Sequence, residues 1–388
     1  MRRVIIFVVL AIGFLSSAMA EKIVIGTSET LNSKVLNESR KILVSLPQDY
    51  DKSGYAYPVL YLTDGQSHFE LMVSSVNFLV KSNIIPPMII VGIDTSANRV
   101  RDLTPEVFDE EEKSHPWFKS VNYGGASKFL AFIKQELVPH IDKKYRTADF
   151  KVFSGHSFGG LFSFYSYLNA PNLFDGYMAI SPSLGWDKER LVISAKTMIE
   201  QDTLSKQKIF LSKGNEVGTT GASYKSVIGL FESNKKYPMT SKEFPEEGHL
   251  TVVFDAQYHG LKALFKSWAL PYKESAKGID AVSAHSKKVK ETFKIDFTSE
   301  RWLINLGNSE YYKKNYDNAI RVFQRNLSIF PESAYSYFML ARVYEGKAEF
   351  KKSYKYYQQA NEMVSSSEPN KSVYEEAVKK AKEQLEAL

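Results

Sequence analysis

Between residues 41 and 270, strand-like and helix-like segments take turns along the chain, and this alternation narrows the fold more than any other feature. Strand candidates are Lys41 to Leu46, Val59 to Thr63, Met88 to Ile93, Lys151 to Ser154, Gly176 to Ile180, Ile209 to Ser212 and Met239 to Glu243. Helical patterns lie between them, among them Ala126 to Leu137, Leu161 to Leu168, Lys188 to Ile199 and Tyr224 to Ser233. Strands joined through helices run parallel, so the pattern predicts an α/β fold with a mostly parallel central sheet and helices on both faces. In such sheets ligands bind beyond the carboxyl ends of the strands.

One of these junctions carries chemistry. Gly155-His156-Ser157-Phe158-Gly159 joins the short apolar strand Lys151 to Ser154 to the helix opening at Gly160-Leu161-Phe162. The pentapeptide alone occurs by chance, but strand, sharp turn and helix together are the context of a nucleophile elbow. Gly155 and Gly159 flank a serine in a strained conformation, where a Cβ would crowd the turn. A tight turn with an incidental serine is the bland alternative.

A serine hydroxyl needs a base to take its proton and an acid to orient that base. The chain order in α/β-hydrolases is serine, acid, histidine, which leaves His249, His259 and His285. His249 follows the last strand candidate in Glu246-Glu247-Gly248-His249-Leu250 and is the expected base; His259 falls in the helical run Thr251 to Trp268, and His285 in the linker beyond. The acid is expected after Ile209 to Ser212, where Glu216 is the only carboxylate of Lys213-Gly214-Asn215-Glu216-Val217-Gly218; Asp187 and Asp202 compete with it. An oxyanion hole needs two backbone N–H donors. The amide of Phe158 supplies one. The turn Asp64-Gly65-Gln66 supplies the other, from Gln66 first and Gly65 second, with Asp64 as a turn former.

At 388 residues the chain suggests a main domain and a smaller appendage. Residues 1–20 stand apart, with Arg2 and Arg3, the apolar run Val4 to Leu15, and Ala18-Met19-Ala20. They read as a secretory signal peptide cleaved near Ala20, so the mature protein is expected to be exported, periplasmic or secreted. No other stretch approaches the roughly 20 apolar residues of a spanning helix. The absence of cysteine excludes disulfides, a thiolate nucleophile, a zinc–cysteine site and a lipid anchor at the cleavage site. The net charge of +6, or +4 without Arg2 and Arg3, is spread over interleaved lysines and acids, with no nucleic-acid footprint. Nothing in the spacing of histidines and carboxylates suggests a metal, and no cofactor is expected.

After about Ser275 strand candidates cease. Leu303, Leu306, Gly307, Ala319, Phe323 and Pro331 align, 34 residues on, with Tyr337, Leu340, Ala341, Ser353, Tyr357 and Ser365. The spacing looks like a tetratricopeptide pattern of paired helices, although Ser365 replaces the expected proline and Asn326 an expected alanine. Residues 21–275 are thus expected to form the α/β domain, and 276–388 a helical linker with a tetratricopeptide-like all-α domain capped by Val373 to Leu388. A plain helical hairpin packed on the main domain is the alternative. Such a tail offers a surface for a peptide or protein partner, or shades the active-site mouth. Tyr311, Tyr316 and Tyr354 either mediate self-association or pack between repeat helices.

Taken together, Tyr61-Leu62-Thr63-Asp64-Gly65-Gln66, Arg101-Asp102-Leu103-Thr104-Pro105, Gly124-Gly125-Ala126 with Phe129 and Phe132, Gly155 to Gly160, Ser181-Pro182-Ser183 and Gly248-His249 resemble the putative esterase family of α/β-hydrolases. That family includes enterochelin (siderophore trilactone) esterases, feruloyl and acetyl-xylan esterases and S-formylglutathione hydrolases. The resemblance covers about residues 25 to 270. It implies a small-molecule ester substrate, Ser157 as nucleophile and His249 as base; the acid varies in siderophore-type members. Arg99 and Arg101 resemble mouth-lining arginines of that subgroup, or else pair at the surface with Asp102 or Glu106. With Lys213 they would give the basic mouth that an acidic catecholate needs. His156 and Trp186 complete the candidates for substrate contact. The helical tail departs from the siderophore and feruloyl enzymes, so a binding protein with a vestigial hydrolase domain is the reading from another class.

Overall fold

A computed structural model describes residues 24–48, 50–51, 53–296, 298–364 and 370–387. The expected signal peptide and Ser365 lie outside these residues. Eight strands form one sheet: β1 Thr27–Ser33, β2 Glu38–Ser45, β3 Tyr57–Leu62, β4 Ile89–Ile93, β5 Thr147–His156, β6 Gly176–Ile180, β7 Lys208–Lys213 and β8 Met239–Glu243. Their spatial order is β1-β2-β4-β3-β5-β6-β7-β8. The six strands from β3 to β8 are parallel, and β1 and β2 are antiparallel additions at one edge. All seven expected strands are present, within a mostly parallel α/β sheet. β1 is an addition: it is a polar, largely exposed edge strand that gives no apolar signal.

Strand order reverses between β3 and β5, the crevice where ligands bind in such sheets. β3, β4 and β6 are buried along their whole length, as the apolar runs of a doubly covered parallel sheet require. The helices Gly65–Lys81 and Val252–Leu264 cover one face, and Ala126–Phe132, Phe158–Asn169, Trp186–Glu200 and Gly218–Glu232 the other.

Three local expectations need correction. Asp64-Gly65-Gln66 is no isolated turn: Asp64 adopts φ 56, and the helix Gly65–Lys81 starts directly after it. The segment expected as one helix from Ala126 to Leu137 runs to Lys144 through a π-helical stretch, Ile133–Leu137. Pro139 lies in the following turn, and its missing N–H and its ring disrupt the α ladder four residues back. The helix expected from Lys188 is preceded by a left-handed turn, Asp187, Lys188 and Glu189, which interrupts the segment Trp186–Glu200, so the right-handed helix runs only beyond Glu189.

The tail consists of the helices Ile279–Phe293, Glu300–Tyr312, Tyr316–Ile329, Ala334–Gly346, Phe350–Met363 and Lys371–Glu386. From Glu300 onward each packs on the next, and Gly307 lets the Phe323 ring approach so closely that a Cβ would stand 2.6 Å from it. Asn326 is buried because its amide donates to Ser336 Oγ at 2.6 Å across two helices. The change of composition near Ser275 is not a break in packing. Val282, Val289, Phe293, Trp302, Leu303 and Leu306 belong to the same core as β3 and β5 of the sheet. The attachment lies at the amino ends of the strands, where Lys294 Nζ binds Asp175 Oδ1 (2.6 Å) and Phe293 packs on Phe150. Ser157 lies about 25 Å away, beyond the other end of β5. Among the described residues no helix is long and apolar enough to cross a membrane.

Candidate active site

Ser157 stands where β5 turns into the helix Phe158–Asn169, with φ 59 and ψ −116. A non-glycine residue held there costs on the order of 1–3 kcal/mol. Its N–H donates to Ile180 O and its carbonyl accepts from Leu161 N, both at 2.9 Å, which fixes the turn. A Cβ on Gly155 would collide with the carbonyl of Gly159, and one on Gly159 with Thr63 Oγ1. Both glycines are therefore required by the close approach of strand, helix and the end of β3.

Glu216 follows β7 and His249 follows β8, and the neighbouring strands bring the two loops together. Asn215 N donates to Glu247 O at 2.8 Å, and His249 Nδ1 donates to Glu216 Oε1 at 2.8 Å. Because a carboxylate only accepts, the proton sits on Nδ1 and leaves Nε2 as an acceptor. Burial favours the neutral form of Glu216, but the hydrogen bond from His249, the Ser181 hydroxyl, its own backbone amide and the charge of His249 together outweigh it and hold the carboxyl below its ordinary range. Among the described residues no hydrogen bond joins Ser157 Oγ to His249; such contacts are often long without substrate and tighten in the complex.

Phe158 donates the first amide of its helix, and Gly65 and Gln66 the first two of theirs; first-turn amides have no intrahelical partner. β3 and β5 are adjacent, with Leu62 opposite Ser154 and Thr63 N bonded to Ser154 O at 3.2 Å. Two positive helix ends thus meet beside Ser157, where an oxyanion would form.

The competing residues are engaged elsewhere. Asp187 accepts from Phe108 N (3.0 Å) and Asp109 N (2.8 Å) and pairs with Arg190. Asp202 binds Lys236 and Tyr237. His259 lies on the helix Val252–Leu264 beside Lys242, and His285 Nε2 donates to Trp268 O at 2.8 Å.

The cations of the mouth are also engaged. Arg99 makes two bonds to Asp64, at 2.8 and 2.9 Å, and Arg101 binds Asp102 (2.8 Å) and Glu38 (2.9 Å). Lys213 is buried and pairs with Glu243 at 3.2 Å. Asp102 is the partner expected for Arg101; Asp64 and Glu38 were not expected. Trp186 is buried, donates Nε1–H to Pro105 O (3.0 Å) and stands 5.6 Å from the Phe158 ring. Trp117, Phe118 and Tyr123 join it in an aromatic wall beside Phe158, the residue after Ser157. Sequence reasoning missed this wall; the signal was the density of aromatics in an aperiodic segment between two strands. His156 lies inside the site and its Nε2 meets His249 O at 2.7 Å.

Comparison with known proteins identifies the family. The family model described as Putative esterase matches residues 33–227. The ferri-bacillibactin esterase BesA of Bacillus subtilis is 32% identical over 169 residues, 41% of this chain and 58% of the relative. A siderophore enterobactin esterase of Emericella nidulans is 30% identical over 171 residues, 38% of this chain and 54% of the relative. The chain spans little more than half the length of these curated relatives. Among solved structures, an IroE-like serine hydrolase from Shewanella oneidensis is 27% identical with a TM-score of 0.67, covering 78% of this chain and 99% of that one. An uncharacterised protein from Capnocytophaga ochracea, 18% identical with a TM-score of 0.59, covers 92% of this chain and 99% of its own, and shares the fold.

Proposed function

This chain belongs to the esterase family whose model it matches over residues 33–227, and from that premise we propose that it hydrolyses carboxylic esters through an acyl-serine on Ser157. Ser157 Oγ attacks the ester carbonyl while His249 Nε2 takes its proton. Glu216 holds the Nδ1–H tautomer and stabilises the imidazolium without accepting the proton. The amides of Phe158 and Gln66, with Gly65 behind them, receive the oxyanion. His249 then returns the proton to the leaving alcohol, and water, activated by the same base, cleaves the acyl-serine. The observation that carries this reading is the strained Ser157 at the end of β5 together with a histidine–carboxylate pair 2.8 Å apart on the loops after β7 and β8.

The substrate is an ester small enough to reach the crevice beside the aromatic wall. Relatives named for siderophore esters favour a siderophore trilactone as the second reading. The paired state of Arg99, Arg101 and Lys213 weighs against recognition of an acidic catecholate by free cations. Export behind a signal peptide over residues 1–20, and a tetratricopeptide role for the tail, belong to the same proposal.

A fluorophosphonate probe with mass spectrometry tests the nucleophile. Labelling is expected at Ser157 and absent in Ser157→Ala, whose kcat is expected to fall by about a millionfold. Ordinary turnover by purified Ser157→Ala would reject the assignment. Absence of labelling in the folded wild type would favour a binding protein.

A further inference from the structure

The base is gripped at two places. Its side chain is held by Glu216 from the neighbouring β7 loop; its main chain is held from the other side of the site, by the residue immediately before the nucleophile. His156 ends β5, and its Nε2 lies 2.7 Å from the carbonyl oxygen of His249, across the width of β6 and β7. A carbonyl only accepts, so Nε2 of His156 carries the proton and donates.

His156 is itself braced. It is 4% exposed, and its own carbonyl accepts from Arg99 Nη2 at 3.2 Å. Arg99 is fixed in turn by its two bonds to Asp64 at the start of the helix Gly65–Lys81. The His68 ring meets the His156 ring edge-on at 5.7 Å, and the His249 ring lies 4.7 Å away. A connected path therefore runs from Asp64 through Arg99 and His156 to the backbone of His249. His249 sits on a loop between β8 and the helix Val252–Leu264 that is tied to the β7 loop through Asn215 N to Glu247 O and internally through Val252 N to Gly248 O, but among the described residues the carbonyl of His249 itself is held by His156 alone. Without a remote anchor the carbonyl is free to turn and carry the imidazole with it.

We propose that His156 is a positioning residue: its Nε2–H holds the His249 carbonyl so that the imidazole stays over Ser157. The inference rests on His249 being the base, and it gives Arg99 a place in the brace rather than in substrate binding.

The test uses His156→Leu, which fills the space without a donor, and His156→Gln, whose amide keeps one at similar reach. Turnover of p-nitrophenyl butyrate and the rate of fluorophosphonate labelling are measured for both. For His156→Leu, kcat is expected to fall about 100-fold, the effect of misplacing a catalytic group by about 1 Å. KM is expected to stay within about twofold, since binding is not what is lost. His156→Gln is expected to recover most of the rate, and labelling of Ser157 to follow the same order. If His156→Leu fails to fold, His156→Asn, whose amide is too short to reach, takes its place. Wild-type kcat in the variant without a donor, or equal losses in donor and non-donor variants with a lowered unfolding midpoint, would overturn the inference. Both outcomes would leave wild-type labelling at Ser157 intact. Failure of that labelling overturns the esterase reading and the inference with it.

Discussion

His156 has one property that reports its surroundings independently of any substrate. Burial first, then the neighbouring His249, pushes its imidazole down to about 4, against an ordinary value of 6.5. As pH falls below 6.5 the unfolded chain takes up a proton that the folded chain refuses until about pH 4, so stability falls as pH drops through that window and is flat above it. The shift corresponds to a loss of up to about 3 kcal/mol. Urea unfolding at pH 7.5 and pH 4.5 is expected to show a larger loss for wild type than for His156→Gln, because other titrating groups cancel in the difference. An equal loss in both proteins would mean that the imidazole is not held neutral. The candidates Ser157, Glu216 and His249 were legible in the sequence because each follows a recognisable strand, and the adjacency of β7 and β8 accounts for the pairing of Glu216 with His249. The brace was not legible: the partner of His156 is a backbone carbonyl 93 residues away, and no residue type advertises a carbonyl. The pairing of Arg99 with Asp64 was hidden for the same reason, since helix and loop meet only in the fold.

Secondary-structure elements show where local chemistry yields to tertiary demand. Asp187, Lys188 and Glu189 adopt φ of 49, 48 and 62 in succession, although each left-handed L-residue costs roughly 1–2 kcal/mol. Carboxylates offset that cost. Glu112 accepts from the N–H groups of both Asp187 and Lys188 at 3.0 Å, and Asp187 accepts from two amides of the 108–109 segment. The short helices Glu110–Ser114 and Pro116–Ser120, which carry Trp117 and Phe118 of the aromatic wall, are thereby tied to the start of the segment Trp186–Glu200. Glu112→Ala is expected to cost about 1–3 kcal/mol, the penalty for leaving such donors without their acceptor. Limited proteolysis is expected to cut first between residues 106 and 121; wild-type stability and wild-type cleavage would refute the clamp. The turn escaped sequence reasoning because nothing in Asp-Lys-Glu favours left-handed backbone; only the carboxylate 75 residues upstream makes it tenable. β1 escaped for the opposite reason, since an exposed edge strand needs no apolar pattern to hold it. The strands β3, β4 and β6 were readable because complete burial leaves few residue types admissible.

At the scale of the whole molecule, the tail is either an appendage or part of the α/β domain. The sequence suggested a boundary near Ser275 because strands end there, but composition does not reveal which surface a helix covers. Helices Ile279–Phe293 and Glu300–Tyr312 place Val289, Phe293 and Trp302, all with no exposed surface, into the core that also holds Phe150, Phe265 and Trp268. The Trp302 ring stands 5.4 Å from Trp268 and 4.7 Å from His285, which is itself bonded to Trp268 O. By contrast, the helices Phe350–Met363 and Lys371–Glu386 bury their apolar residues only against other tail helices. The first two tail helices are therefore expected to unfold together with the sheet. Trp302→Ala leaves a cavity beneath both and is expected to cost about 3–5 kcal/mol. If sheet and tail share a core, esterase activity and tryptophan fluorescence will be lost in one transition, displaced together to lower denaturant. A separable tail would give two transitions in this variant, with activity persisting to the wild-type midpoint. The distinction bears on function, because Trp302 lies at the amino ends of the strands and Ser157 at their carboxyl ends. A single transition would mean that the tail supports the end of β5 that carries Ser157 through the sheet.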